Sequence, residues 1–352
     1  MGQYGVLTYP EISSQTEVLQ SAWDQLDVQS GWIETYLKDD SFREVIFIGS
    51  GSSYYQAQIM AATFRRLLGR SASAQPSSEL MLFRDHAAIP GKKLLVGVSR
   101  SGESSEVVLA LNAVKELPDW TICSITCYAD SRMGKMADCL LSPKGAEKSV
   151  VMTKSFSSMT YMMQAAIAIA SGNEQAIAEM KAVPQIQEPI VAAADQLAKQ
   201  IVDENPMFLN YIYLGMGPMT GLTQEACLKI KEMSNVWTEA FGTLEFRHGP
   251  KSIIEQGSLV VLLLSEQGRS YEVTVAQEMQ QYGAKVLIVT AERGADTDFA
   301  DYVLETGGRN VSDDARCAVY LPVLQYLGYY TALKKNVNPD EPRNLTQVVK
   351  ID

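Results

Sequence analysis

Apolar residues fall along this chain in short unbroken blocks rather than in alternation. "EVIFIG", "KLLVGV" and "TICSITC" mark the first half; "NYIYLG", "LVVLLL" and "KVLIVT" mark the second. Such β-branched and leucine-rich runs suit parallel strands covered on both faces, since a strand with one wet face would alternate. Between them lie stretches with helical spacing, such as "SSEVVLALNAVKEL" and "RSYEVTVAQEMQQYG". This succession predicts an α/β fold with two doubly wound parallel sheets.

The two halves repeat one plan. "EVIFIGSGSSYYQAQIMAATFRRLLG" (44–69) is similar to "NYIYLGMGPMTGLTQEACLKIKEMS" (210–234): an apolar run, a Gly-x-Gly turn and an amphipathic stretch. Ser99 follows Gly49 by 50 positions, and Ser265 follows Gly215 by the same 50. Another apolar run comes after each serine, and matching spacing over three elements argues for internal duplication. The pattern divides the chain into a helical leader (1–40), a first domain (41–172), an alanine- and charge-rich linker (173–205), a second domain (206–335) and a tail (336–352). The linker is expected to be helical on both sides of Pro184.

Composition removes several function classes. A net charge of −11 disfavours nucleic acid as a partner, yet permits a local anion site built from backbone and hydroxyl groups. No apolar run approaches the roughly 18 residues of a membrane span. The opening "MGQYGVLTYPEISSQ" lacks the basic start and long apolar stretch of a secretory signal, and Val6 stands where a myristoylation signal on Met1-Gly2 needs Ser or Thr. Five cysteines, mostly inside apolar segments, read as reduced buried thiols of a cytoplasmic protein. Two histidines far apart and no clustered cysteines give no metal site, and no cofactor is expected.

Two serine clusters follow strands in the first half: Ser50, Ser52 and Ser53 in "GSGSSYY", and Ser99, Ser101, Ser104 and Ser105 in "VSRSGESSE". In open α/β sheets, ligands bind at the carboxyl ends of strands. Hydroxyls with unpaired N–H groups at a helix start make a cradle for phosphate. Serine is also a favoured helix cap, so capping competes with this reading. Neither a P-loop nor a complete dinucleotide fingerprint is present.

In the second half, "TQEACLKIKEMS" places Glu225, Lys229 and Glu232 on one helical face. Pattern alone favours a solvated Glu–Lys pair at i, i+4. His248 in "LEFRHGP" has an ordinary reading too, as a turn histidine ahead of Gly249 and Pro250.

Taken together, "VSRSGES", "MTKSF", "QEACLKIKEMS", "LEFRHGP" and the tail "NPDEPRNLTQVV" resemble the tandem sugar-isomerase (SIS) family. That family includes the isomerase half of glucosamine-6-phosphate synthase, sugar-phosphate deaminases and fructosamine-6-phosphate deglycases. The resemblance covers about residues 40–352. It implies two flavodoxin-like SIS domains, a sugar 6-phosphate substrate, and a homodimer with shared active sites on which the tail closes. By position, Ser52, Ser53, Ser99, Arg100, Ser101 and Ser104 would hold the phosphate, with Arg100 standing where a glutamine is usual. Glu232 would shuttle a proton between C1 and C2, with Lys229 and Glu225 beside it. His248 would open the sugar ring from a neighbouring subunit. Gln347, counted with the substrate-binding residues, stands where the synthase has a lysine that forms a Schiff base, and Lys350, three residues on, is not expected to replace it. The synthase's glutaminase domain is not part of this sequence, so glutamine is not expected as the ammonia source.

The chemistry fits these residue types. One base must serve both carbons through an enediol-like intermediate, a cation can meet the developing oxyanion, and an imidazole can exchange protons near neutral pH. The activity expected is that of a phosphosugar isomerase or deaminase on an aminosugar or ketose 6-phosphate, with ammonia release in the second case. A fructosamine 6-phosphate deglycase and a non-catalytic sugar-phosphate sensor are the alternatives.

Overall fold

The computed structural model describes residues 4–351; the Met1-Gly2 start lies outside the described residues. The first sheet contains β1 (Glu44–Gly49), β2 (Ala72–Pro76), β3 (Lys93–Val98), β4 (Trp120–Thr126) and β5 (Cys139–Leu141). Its order is β2-β1-β3-β4-β5, and every pairing is parallel. The second contains β6 (Asn210–Gly215), β7 (Thr238–Phe241), β8 (Ser258–Leu263), β9 (Lys285–Thr290) and β10 (Tyr302–Glu305). Its order is β7-β6-β8-β9-β10, again all parallel and the same plan strand for strand. The α/β fold with two doubly wound sheets is therefore present.

The continuous apolar blocks are continuous because both faces of the strands are covered. β1, β3 and β8 are buried at every residue. On one face of the first sheet, Ile46 and Leu95 pack with Val107, Ala110 and Leu111 of the helix Ser105–Val114. The helix Arg269–Gln281 does the same in the second, laying Val273, Ala276 and Met279 against Val260, Leu262 and Ile288.

Two compact units contain these sheets. One comprises Glu17–Lys148, Met152–Ala182 and the tail from Thr346; the other comprises the chain start through Thr16, Ser149–Val151 and Val183–Leu345. A single helix, Glu174–Glu204, begins in one unit and ends in the other. It runs unbroken through Pro184 and Pro189, so the linker is not divided at Pro184. A proline removes the N–H that would bond the carbonyl four residues earlier. For Pro184 that carbonyl belongs to Met180, and it accepts the Tyr161 hydroxyl instead at 2.8 Å. The same device recurs in the buried helix Asp313–Lys334, where Pro322 leaves the Ala318 carbonyl to the Gln187 side-chain amide at 2.7 Å.

In each sheet the central pair, β1/β3 or β6/β8, sends its connections in opposite directions, which opens a crevice at the carboxyl ends. The Gly-x-Gly turns make the first of these crevices tight. A Cβ on Gly49 would lie 2.3 Å from the Ser53 backbone, and Gly51 holds φ +57°, so neither position takes another residue without strain.

Candidate functional site

The serine clusters lie at the crevice of the first sheet, after β1 and β3. Capping does not account for them. Gly51 is the cap residue of the helix Ser52–Leu68, which places Ser52 and Ser53 inside its first turn, both buried. Ser104 occupies the cap position of the helix Ser105–Val114, yet its side chain makes no capping hydrogen bond. Its hydroxyl lies 3.2 Å from that of Ser99. The turn is held by Gly102 N–H donating to Ser99 Oγ and Glu103 N–H donating to Ser101 Oγ, each at 3.1 Å. Gly102 takes φ +64°, the left-handed conformation that turns successive N–H groups toward one point.

Arg100 lies within this turn and is almost wholly buried. Its guanidinium donates to the buried Glu147 carboxylate at 3.0 Å and to the Gln347 carbonyl at 3.2 Å. Glu147 also receives Thr153 N–H at 3.0 Å, Thr153 Oγ1 at 2.8 Å and the Ser155 hydroxyl, so it ties the "MTKSF" segment to the serine turn. The positive charge that Arg100 adds is thus matched by a carboxylate that sequence reasoning missed. A lone glutamate in "GAEKS" carries no spacing signal that would have found it.

The tail reaches the same turn. Val349 O accepts from Ser105 N–H at 3.4 Å, and Ile351 N–H donates to Ser105 Oγ at 3.1 Å. A cavity of about 400 Å3 lies here, lined by Arg100, Ser101, Tyr128, Asp130, Ser131 and Gln347 among others. Gln347 has its side chain against the Glu147 carbonyl at 3.4 Å, and Lys350 is exposed.

The helix Met219–Ser234 carries the charged face. It is not the solvated stripe that pattern favours: Glu225 and Lys229 have no solvent exposure at all. The Lys229 ammonium lies 3.4 Å from Glu225 and bonds directly to Glu232, whose side chain keeps 18% of its surface open. Packing against the helix Asp313–Lys334 produces this burial. There Gly328 has no side chain to hold the two backbones apart; a Cβ on it would come 3.3 Å from the Lys229 carbonyl oxygen. Two carboxylates share one ammonium in a dry setting, and only Glu232 is open to a ligand.

His248 follows the short 3-10 turn Glu245–Arg247 and is exposed. Among the described residues, no hydrogen bond or ion pair joins its imidazole to the Glu225–Lys229–Glu232 face. The structure gathers the serine turn, Arg100 and the tail in one unit, and the carboxylate helix and His248 in the other. No group of His, Cys, Asp or Glu that could hold a metal occurs among the described residues. No helix among them is long and apolar enough to cross a membrane. All five cysteines are unpaired, and burial raises the thiol pKa of Cys123, Cys127 and Cys317.

Known proteins are similar to this chain in sequence and fold. The SIS domain family matches residues 41–169 and 210–310. A Streptomyces coelicolor protein proposed to be a D-galactosamine-6-phosphate deaminase is 30% identical over 315 residues, covering 85% of this chain and 80% of that protein. The isomerizing glutamine–fructose-6-phosphate aminotransferase of Sulfurisphaera tokodaii is 26% identical over 344 residues, or 97% of this chain, but only 56% of that protein is spanned. The crystal structure of glucosamine-6-phosphate deaminase from Thermotoga maritima superposes with a TM-score of 0.79 at 27% identity, covering 97% of this chain and 98% of that one.

Proposed function

The chain belongs to the SIS-domain family, and from that premise we propose that it moves a proton between C1 and C2 of an aminosugar or ketose 6-phosphate. The observation that carries this reading is the buried Lys229 ammonium holding Glu232 at the edge of a dry face. A helix that merely solvated its charges would have no reason to bury a lysine, since desolvating an ion costs several kcal/mol.

In this mechanism Glu232 removes the proton from one carbon and returns it to the other. Lys229, fully buried and bonded to Glu232, orients that carboxylate in surroundings where water does not screen the pair. The serine turn (Ser99, Ser101 and Ser104) and Ser52 and Ser53 hold the phosphate, with Arg100 supporting the turn through Glu147. His248 opens the ring, acting in a second chain of a homodimer; its exposure supports that role. With an amine on C2, the shift produces an imine, which water hydrolyses to the ketose and ammonia. Two relatives named for aminosugar-phosphate deamination support this branch. Gln347 cannot form a Schiff base, which favours water over lysine-borne amine transfer.

The test is Glu232→Gln, which keeps size and removes the base. Turnover should fall at least about a hundredfold while sugar-phosphate affinity barely changes. Wild-type protein should exchange the C1 or C2 proton with deuterated water, read by NMR, and the variant should not. A wild type that binds sugar phosphates yet exchanges neither proton would mark a sensor. Ammonia or amine release from glucosamine-, galactosamine- and fructosamine-6-phosphates then separates deaminase from deglycase.

A further inference from the structure

His248 stands at the joint between two short 3-10 turns, Glu245–Arg247 and Pro250–Ile253. Each turn closes on its own carbonyls: His248 N–H donates to Glu245 and Ser252 N–H to Gly249, both at 3.0 Å. Between them Gly249 takes φ +119°, and a Cβ there would meet no atom within 4 Å, so the glycine serves the bend of the chain and not a close approach. Upstream, the segment is fixed to the helix Arg269–Gln281. Thr243 donates to the buried Glu272 at 2.8 Å, and Phe246 lies in the core with Val273 and Ala276. Beyond Phe246 the chain leaves the core, and Arg247, His248 and Gly249 are all exposed. A free joint at this place would let the imidazole swing.

One carboxylate closes that joint. Glu278, on the same helix, lies 3.0 Å from Arg247 Nε of the first turn and accepts from Lys251 Nζ of the second at 2.5 Å. The Tyr282 hydroxyl donates to it at 2.8 Å, and the Lys251 ammonium lies over the Tyr282 ring. Lys251 and Tyr282 hold the Glu278 carboxyl below its ordinary pKa, so it is ionised at neutral pH. A single exposed ion pair contributes little stability. Two cations from opposite sides of a glycine, gathered on one carboxylate, fix a shape instead. The duplicated half provides a comparison within the chain. Leu82 follows Gly49 by 33 positions as His248 follows Gly215, and Asn112 follows Ser99 by 13 as Glu278 follows Ser265. Counted the same way, Met81 and Asp85 stand for Arg247 and Lys251. The half in which leucine replaces His248 repeats neither the two cations nor the carboxylate between them.

We infer that Glu278 is a positioning residue for His248: it clasps the chain across Gly249 and fixes where the imidazole is presented. It acts through the turns and touches no substrate. The inference rests on the reading of His248 as the ring-opening group. Proton exchange needs the imidazole within hydrogen-bond reach of the sugar, and a misplacement of about 1 Å can cost on the order of a hundredfold in rate.

Glu278→Gln keeps the size of the side chain and removes its charge. The chain has only two histidines, so NMR of carbon-labelled imidazoles separates His248 from His86. In the full-chain variant the His248 signal should narrow and move toward that of free histidine, while His86 stays in place. Turnover should fall at least about tenfold with KM little changed. Subunit mixing then shows which residue Glu278 serves. Glu278→Gln mixed with Glu232→Gln should regain activity, since one site of each hybrid is intact; Glu278→Gln mixed with His248→Ala should not. An unmoved His248 signal, a shift of both histidines together, turnover within about twofold of wild type, or recovery with His248→Ala would each overturn the proposal. If Glu232→Gln and His248→Ala themselves fail to complement, the shared-site reading has failed, and the imidazole signal and turnover decide the clasp without the mixing. A wild type that turns over no sugar phosphate would remove the catalytic reading, and this inference with it.

Discussion

The Lys229 ammonium lies 3.4 Å from a carboxylate oxygen of Glu225, and neither side chain touches solvent. Burying such a pair is costly, and removing one member costs more, because the remaining charge stays behind without it. Lys229→Met leaves Glu225 and Glu232 without the charge they share. The substitution should lower stability by about 3–5 kcal/mol in urea unfolding. The double change Glu225→Leu with Lys229→Met replaces the pair by apolar groups of similar volume and should recover much of that loss, while remaining inactive. A single variant no less stable than the double would show that the buried charges are not coupled.

A second buried carboxyl sets a pH dependence. Glu272 has its pKa raised by burial, an effect partly offset by hydrogen bonds from Ser265 and Thr243. Thr243 donates at 2.8 Å and stands just ahead of the turn that leads to His248. Because the folded pKa lies above the ordinary value of 4.5, the folded state binds more protons than the unfolded state across that window. Stability contributed by this group is therefore full below pH 4.5 and is lost as pH rises through the raised value. Subtracting the unfolding free energies of Glu272→Gln from those of wild type, from acid to neutral pH, should give a difference that declines with pH. A flat difference would reject the assignment.

The strands and their order of duplication were legible because a parallel strand covered on both faces has to be written as an unbroken apolar block. The dryness of Lys229 was not legible. An i, i+4 glutamate–lysine pair reads the same on a wet helix as on a buried one, and what buries it is the helix Asp313–Lys334, about a hundred residues away in the chain, approaching where Gly328 permits. Local rules also mark Pro184 as a break, and only the Tyr161 hydroxyl, 19 positions from Met180, explains why the helix continues. Serine at helix starts suggests caps, yet Ser104 turns toward Ser99 instead. For Lys229 and Pro184 the deciding partner lies farther away along the chain, for Ser104 it lies five positions back, and none of them carries a periodic signal.

For the serine turn, Ser101→Ala and Ser104→Ala should each weaken sugar-phosphate binding by about 1–3 kcal/mol, the cost of one lost hydrogen bond to a charged group. The unphosphorylated sugar should bind far more weakly than its phosphate. Equal affinity for the two in a calorimetric titration would remove the phosphate from this crevice.

His248 provides the last expectation. If it completes the site of a second chain, each active site draws Glu232 from one subunit and His248 from the other. Glu232→Gln and His248→Ala homodimers are then both inactive. Mixing them creates heterodimers in which one site combines both altered residues and the other combines both intact ones. Equal mixing with free exchange makes half of the dimers hybrid, each with one intact site, so activity should return to roughly a quarter of wild type in a two-fold symmetric dimer. Subunit exchange is verified separately by mass spectrometry on differently tagged chains. Verified exchange without any recovered activity would place Glu232 and His248 in the same subunit's site, and the exposure of His248 would then need a movement of the Glu245–Arg247 turn toward the helix.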